Sequence, residues 1–412
     1  MKDNYSVTSQ RSLVILGSTG SIGTQAIDVV RRNPGRFAVR AISASGGRAE
    51  LLARQAFDLG VETVGVAKAT AAEDVILHLN AEAGRRGERR IPKVLAGPSS
   101  TTQLAALPVD VVLNGVDGSV GLAATVACLQ AGTTLALANK ESLVAGGTWV
   151  RDMAAPGQLV PVDSEHSAMA QCLRAGRREE VARFILTASG GPFRGRSRQD
   201  LQRVTLDEAM AHPTWAMGTS VTLNSANLVN KGLELIETNL LFAVPPDDIV
   251  VVVHPTSTVH SMIEYADGST IAQASPPDMR LPIALALGWP DRVAGAQPTF
   301  DWSQAHTWTF EPLDDDAFPA VRLARQVAAT GGVAPAAYNA ANEQAQAAFV
   351  AGRVGFLDVV DVIGFTVDEL AGRHDLSRPG QSLDEILAFE QDARRTADTL
   401  LEARSRTAAT DS

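Results

Sequence analysis

The sequence predicts an α/β protein in three parts: an N-terminal parallel sheet covered by helices, a central α+β domain and a C-terminal helical bundle. Three observations predict it. Short apolar runs alternate with helix-like stretches from Ser12 onward, strand-like runs interleave with motif-dense loops between about 161 and 290, and four helix-like stretches follow Asp314.

In the first part, 13–16 (LVIL) reads as a short buried strand, 21–32 as a helix and 38–43 (AVRAIS) as a second strand. A helix from Glu50, a strand in VETVGVA and a helix over 71–83 come next, then the strand candidates KVLAG, DVVLNG and TTLALAN. Apolar strands in β-α-β alternation belong in a parallel sheet buried on both faces. The uncharged run 118–139 contains Gly121, Gly132 and three threonines, and reads as a helix that stops at Gly132 followed by a strand, not as a membrane span. The middle part carries RFILTAS, DDIVVVVH, SMIEYA and STIAQA as strands. The last part holds helix candidates at 317–330, 334–352, 355–371 and 382 to about 406, separated by ordinary stop and start signals.

A chain of 412 residues exceeds what one hydrophobic core supports. The expected division is 1–160, 161–288, a linker at 289–314 with three of the five tryptophans, and 315–412. Lys and Arg total 36 against 46 Asp and Glu, a net charge of −10, which gains little from a nucleic-acid backbone or an anionic lipid surface. Neither is an expected partner. Cys128 and Cys172 stand in apolar runs with no C-x-x-C pair, which argues against structural zinc and disulfides. The first ten residues are polar, so the expected compartment is the cytoplasm.

Gly17-Ser18-Thr19-Gly20-Ser21-Ile22-Gly23 follows the first strand and opens a helix. Glycines there let the backbone turn tightly and approach a pyrophosphate, whose charge sits on free helix N–H groups. This is the expectation of a Rossmann-like dinucleotide domain, against a ligand-free glycine turn. After the second strand comes Ser43-Ala44-Ser45-Gly46-Gly47-Arg48, with an arginine and no acid. A 2′-phosphate is repelled by a carboxylate and welcomed by Arg48, so NADPH is expected over NADH. A solvated surface arginine is the competing reading.

Asp163 and Glu165 in PVDSEH stand two residues apart, a spacing that sends both to one side of an extended chain. Hard cations such as Mg²⁺ or Mn²⁺ take oxygen ligands of this kind, although D-x-E alone is common in solvated loops. Ser189-Gly190-Gly191 follows a buried strand and offers a hydroxyl and N–H groups to a phosphate. His212-Pro213-Thr214-Trp215-Ala216-Met217-Gly218 has the composition of a mobile lid, with a buried structural Trp215 as the alternative. Asn230-Lys231-Gly232-Leu233-Glu234 brings a neutral donor, a cation and a carboxylate together. His254 and His260 read as structural, His166 as a hydrogen-bonding neighbour of the carboxylates, and His78, His306 and His374 as surface residues.

With GSTGSIG, ANKESLV, PVDSEH, SGGPFR, HPTWAMG, NKGLE, HPTSTVHSM, DGS and PDMRLPI in one order, the chain resembles the 1-deoxy-D-xylulose 5-phosphate reductoisomerase family from about Ser12 to Leu400. NAANEQAQAAFVAGRVGFLDV resembles that family's C-terminal domain. The resemblance implies rearrangement of a linear ketose phosphate to a branched aldehyde phosphate, which NADPH reduces to 2-C-methyl-D-erythritol 4-phosphate, an isoprenoid precursor. It implies a divalent metal (Mn²⁺, Mg²⁺ or Co²⁺) on Asp163, Glu165 and Glu234, and Lys140, Glu165, His212 and Glu234 as catalytic residues. Ser164, Ser189, Ser225, Asn230 and Lys231 would also bind substrate, under a cap of Trp215 and Met217. Gly17, Thr19, Gly20, Ser21, Ile22, Gly46, Gly47, Arg48, Asn139, Glu141 and Gly218 would contact the cofactor. A homodimer is implied as well.

Four positions depart from the family's pattern: Ser220 and Asn224 stand where Lys and Asp are usual, Asp117 where an apolar residue is, and Arg48 where Asn is frequent. Two rival readings are an NADP-dependent dehydrogenase of a phosphorylated aldehyde and a non-catalytic NADP-binding regulator. The first gives three carboxylates no role, and the second predicts the loss of a ligand that is present.

Overall fold

Leu13, Val14, Ile15 and Leu16 are all completely buried, as a parallel strand covered on both faces requires. They belong to β1 (Arg11–Leu16) of a computed structural model that describes residues 10–211, 215 and 218–410. Next in the chain are α1 (Ser21–Arg32), β2 (Phe37–Ala44), α2 (Ala49–Leu59), β3 (Thr63–Val66), α3 (Ala72–Arg86) and β4 (Lys93–Ala96). Then come α4 (Ser100–Ala105), β5 (Val111–Asn114), α5 (Leu122–Gln130), β6 (Thr134–Leu137), α6 (Lys140–Met153) and β7 (Leu159–Pro161). The strands lie in the order β4-β3-β2-β1-β5-β6-β7, and all pairings are parallel. The order reverses at β1, which has β2 on one side and β5 on the other. In open α/β sheets ligands bind beyond the carboxyl ends of the strands at such a point. The run 118–139 resolves into α5, a left-handed turn at Gly132 and β6, as its glycines predict.

The chain continues as α7 (Ser164–Cys172), β8 (Val181–Ala188), α8 (Leu206–Met210), α9 (Thr219–Ala226), α10 (Val229–Phe242), β9 (Ile249–Val253), β10 (Val259–Tyr265) and β11 (Thr270–Ala274). α11 (Arg280–Gly288), β12 (Glu311–Pro312), α12 (Ala320–Thr330), α13 (Ala334–Val350), α14 (Phe356–Ala371) and α15 (Leu383–Thr410) complete it. The second sheet has the order β11-β10-β8-β9-β12, with β8 and β9 parallel and the other pairs antiparallel. A parallel step demands a long crossover, and the connection from β8 to β9 carries α8, α9 and α10. α13 packs against α12, α14 and α15, which makes the expected bundle. The helix expected from 317 begins at Ala320, because Asp314 Oδ1 accepts the N–H groups of Asp316 and Ala317 in a separate turn and Pro319 then precedes the helix.

The described residues group into two compact units, one drawn from 1–139, 153–163 and 278–298, the other from 140–152, 164–277 and 299–412. In the first, α11 packs on α1, and Arg280 joins them with Nη2 2.6 Å from Asp278 Oδ2 and Nη1 3.1 Å from Asp28 Oδ2. Among the described residues no helix is long and apolar enough to cross a membrane.

One expectation is corrected. The chain at PVDSEH is not extended: Ser164 opens α7, so Glu165 stands on the first turn of a helix and the two-residue alternation of a strand does not apply.

Candidate active site

In the first unit, the glycine spacing has a steric explanation. Gly17 has φ +79°, and a Cβ on it would stand 2.3 Å from Gly115 O. A Cβ on Gly23 would stand 2.3 Å from Gly17 O. These two positions admit only glycine. Gly20 differs: its φ is −77°, its nearest neighbour would be 3.3 Å away, and it is exposed just before α1. With only that one tight contact to avoid, the glycine chiefly leaves backbone bare for a ligand to approach. Gln55 Nε2 donates to Ser18 O at 2.9 Å, and Arg48 Nη1 donates to Thr19 O at 3.0 Å. Arg48 is exposed but is tied to this loop, next to Gly46, where a Cβ would meet Ala71 Cβ at 2.5 Å, and to Gly47, where a Cβ would make only an ordinary contact, 3.9 Å from Ser45 Oγ.

Ser21 and Ile22 open α1, with Ile22 against Gly115. Buried Asn139 donates through Nδ2 to Val116 O and, at 2.7 Å, to Gly118 O, so it braces the loop that carries the exposed Asp117. Of the other residues expected at the cofactor, Glu141 lies in the first turn of α6 and Gly218 directly precedes α9.

The second unit holds the charged centre. Residues three and four apart share a helix face, which places Asn230, Lys231 and Glu234 of α10 together. Glu234 is 1% exposed and Lys231 4%. Lys231 Nζ donates to Glu165 Oε1 at 3.0 Å and also to Glu234 Oε2. Lys140, at the start of α6, donates to Glu234 Oε1 at 2.8 Å and to Asn230 Oδ1 at 3.1 Å. Asn230 Nδ2 reaches the same Glu234 oxygen at 2.5 Å. Two buried lysines thus balance two carboxylates, a compensation that burial demands. Ser164 Oγ donates to Glu165 Oε2 at 2.5 Å.

Carboxylate oxygens of Glu165 and Glu234 lie within 4.8 Å of each other, and the chain itself sets Asp163 two residues before Glu165. An all-oxygen, anionic donor set fits a hard divalent cation and suits a soft one poorly. Behind it, fully buried His166 donates from Nε2 to Glu234 O at 2.9 Å, and its Nδ1 lies 3.2 Å from Glu237 Oε2. His166 therefore touches the backbone of Glu234, 68 residues away in the chain.

Ser189 and Ser225 meet through glycine. Gly191 has φ +66°, and a Cβ there would stand 2.7 Å from Ser225 O. The Ser189 hydroxyl accepts from Gly191 N at 3.2 Å, which closes the turn on itself beside α9. Leu228, with φ 60°, turns the chain sharply between α9 and α10, so Ser225 and Asn230 sit on either side of one left-handed residue. Trp215 packs edge-on to His260, ring centroids 6.2 Å apart. His212 and Met217 lie outside the described residues. His254 is a structural joint, with Nδ1 donating to Thr309 O and Nε2 accepting from Val259 N. Gln55 and Glu237 belong to no sequence motif, and only packing reveals their contacts with Ser18 O and His166.

A family model for 1-deoxy-D-xylulose 5-phosphate reductoisomerase matches residues 13–147, one for that enzyme's C-terminal domain matches 159–242, and a DXP reductoisomerase C-terminal domain model matches 274–396. The chain belongs to the 1-deoxy-D-xylulose 5-phosphate reductoisomerase family. The reductoisomerase of Kitasatospora griseola is 58% identical over 387 residues, covering 93% of this chain and 98% of that one. That of Paenarthrobacter aurescens is 57% identical over 393 residues, covering 95% and 98%. Among solved structures, the reductoisomerase from Zymomonas mobilis in complex with NADPH aligns with a TM-score of 0.86 at 37% identity, covering 96% of this chain and all (100%) of that one. A reductoisomerase in complex with NADPH, fosmidomycin and magnesium aligns with a TM-score of 0.86 at 33% identity, covering 95% and 98%.

Proposed function

We propose that the chain is an NADPH-dependent oxidoreductase that converts 1-deoxy-D-xylulose 5-phosphate to 2-C-methyl-D-erythritol 4-phosphate with a divalent metal. The observation that carries this reading is the set of half-buried Glu165 with buried Glu234, Lys140 and Lys231, joined by direct ion pairs in a chain of this family. When bound, the cation supplies Lewis-acid polarisation of adjacent carbonyl and hydroxyl oxygens, and NADPH supplies the hydride.

The chain's own residues do the rest. Asp163, Glu165 and Glu234 hold the metal, which is Mg²⁺, Mn²⁺ or Co²⁺. Lys140, paired to Glu234, stays close to the reacting oxygens as a proton source and electrostatic partner. Ser189, Ser225, Asn230, Lys231 and His212 bind the phosphate and hydroxyls, Ser164 orients Glu165, and Trp215 and Met217 cap the site against water. Gly17, Thr19, Gly20, Ser21, Ile22, Gly46, Gly47, Arg48, Asn139, Glu141 and Gly218 contact NADPH. Residues 1–160 form the cofactor domain, 161–288 the catalytic and dimerisation domain, 289–314 a linker and 315–412 a helical domain. The protein works in the cytoplasm as a homodimer, with the second copy docking on the 161–288 domain.

The test is NADPH absorbance in the presence of 1-deoxyxylulose 5-phosphate and Mn²⁺ or Mg²⁺, with and without chelator. Loss of NADPH that ignores the chelator rejects the metal, and no loss under any condition rejects the function. Light scattering at working concentration reads the dimer.

A further inference from the structure

We propose that Gln346 on α13, which belongs to no site motif, is a positioning residue for the sugar-phosphate site. This rests on the reading that Ser225 of α9 binds substrate. Gln346 Nε2 donates to Ser220 O at 2.9 Å and to Asn224 Oδ1 at 3.0 Å, which uses both hydrogens of one amide. Ser220 and Asn224 stand four residues apart, so Gln346 grips one face of α9 across a full turn. These are also two of the positions at which the sequence departs from the family pattern.

The grip matters because α9 is held from a second direction. Ser225 is the next residue after Asn224, about 100° further around the helix. Its carbonyl is what fills the space a Gly191 side chain would need, 2.7 Å away. α9 is thus seated between α13 and the Ser189–Gly191 turn, and Gln346 sets its rotation against that turn. α13 has a comparable hold on α10: about two turns before Gln346, the hydroxyl of buried Tyr338 lies 2.5 Å from where a Cβ on Gly232 would stand. Gly232 sits between Lys231 and Glu234. A helix that need not touch the substrate therefore sets the two helices that carry Ser225, Asn230, Lys231 and Glu234.

Gln346→Met keeps the shape and removes the donor. It should raise KM for 1-deoxyxylulose 5-phosphate about five- to tenfold, the value of one or two lost hydrogen bonds. The turnover number should stay within about twofold and NADPH affinity should change less than KM, because of the proposed cofactor contacts only Gly218 adjoins α9. Gln346→Glu sets a carboxylate against two oxygen acceptors and should raise KM further. Gln346→Lys combined with Asn224→Asp restores a donor and a charged acceptor, and should bring KM back to within about twofold. A merely structural glutamine would instead lower the melting temperature and the active fraction, leave KM alone and show no rescue. That outcome overturns the proposal. Ser225→Ala separates it from the reading beneath it. If Ser225→Ala raises KM and Gln346→Met does not, only the positioning role falls. If Ser225→Ala leaves KM unchanged, the substrate role of α9 falls and the proposal with it.

Discussion

Lys231 Nζ lies 3.0 Å from Glu165 Oε1, which ties the first turn of α7 to α10 across 66 residues of chain. The same ammonium pairs with Glu234, and Lys140 pairs with Glu234 from the far side. Buried charges of this kind are stable only as a set, because removing one partner leaves another without compensation. The arrangement makes Glu234 the residue on which site and stability both turn.

Glu234→Gln should lower the turnover number on the order of 100- to 1,000-fold and leave NADPH binding within about twofold. The metal-free protein should also lose about 3 kcal/mol of stability, since two buried lysines share the deleted charge. Urea unfolding without metal and NADPH titration check the two parts separately. Undiminished turnover rejects the metal assignment.

Gly17 and Gly20 of the nucleotide loop should not respond alike. Gly17→Ala meets Gly115 O at 2.3 Å with a positive φ, and should cost about 3 kcal/mol or fail to fold. Gly20→Ala has a negative φ and one tight contact, 3.3 Å from Gly17 O, that a shift of a few tenths of an ångström relieves, so it should fold within about 1 kcal/mol of the parent and bind NADPH about tenfold more weakly. Denaturation midpoints and fluorescence titration decide it, and equal stability losses would contradict the steric reading.

Arg48→Ala removes the guanidinium that donates to the Thr19 carbonyl of this loop. It should raise KM for NADPH about 10- to 100-fold and leave that for NADH nearly unchanged, as expected for a charge-assisted bond to a 2′-phosphate. Equal changes for both cofactors would return Arg48 to the solvent.

Gly232→Ala gains about 0.5–1 kcal/mol of helix propensity and loses about 1–3 kcal/mol to overpacking against Tyr338, Ala324 and Ala320. Overpacking wins, so a net loss of about 1–2 kcal/mol is the expected result of thermal unfolding. Tyr338→Phe in the same chain should recover part of it, because the hydroxyl is the nearest atom at 2.5 Å.

Burial pushes the Cys128 thiol up to about 12 and the Cys172 thiol up to about 11. Both should be inert to a disulfide reagent at pH 8 in the native protein and react fully in guanidinium. The sign for stability follows. Above about pH 9 the unfolded thiols release protons that the folded ones keep, so the unfolded state gains and stability falls as pH rises. Replacing both by alanine or serine should flatten that alkaline limb in urea titrations between pH 8 and 10.

Much of this was readable before folding. The helix at Ser21–Arg32 and the turn at Gly132 follow from periodicity and turn chemistry, which act over a few residues. The local backbone of Glu165 is not legible in the same way, because a two-residue spacing is uninformative until one knows that Ser164 begins a helix. Asp163, Glu165 and Glu234 were picked out by residue type and by likeness to a family, not by any spacing that joins residues so far apart.

By itself, then, the sequence determined the parallel sheet, the glycines of the nucleotide turn and the face of α10 that carries Asn230, Lys231 and Glu234, since each is a short-range consequence of backbone sterics and helical period. Only the tertiary structure decided that Lys140 and Lys231 share Glu234, that His166 reaches the Glu234 carbonyl, and that Gln346 holds Ser220 and Asn224. The reason is physical: a buried charge takes whichever partner the topology brings within about 3 Å, and the crossover from β8 to β9 brings partners that lie tens of residues apart in the chain.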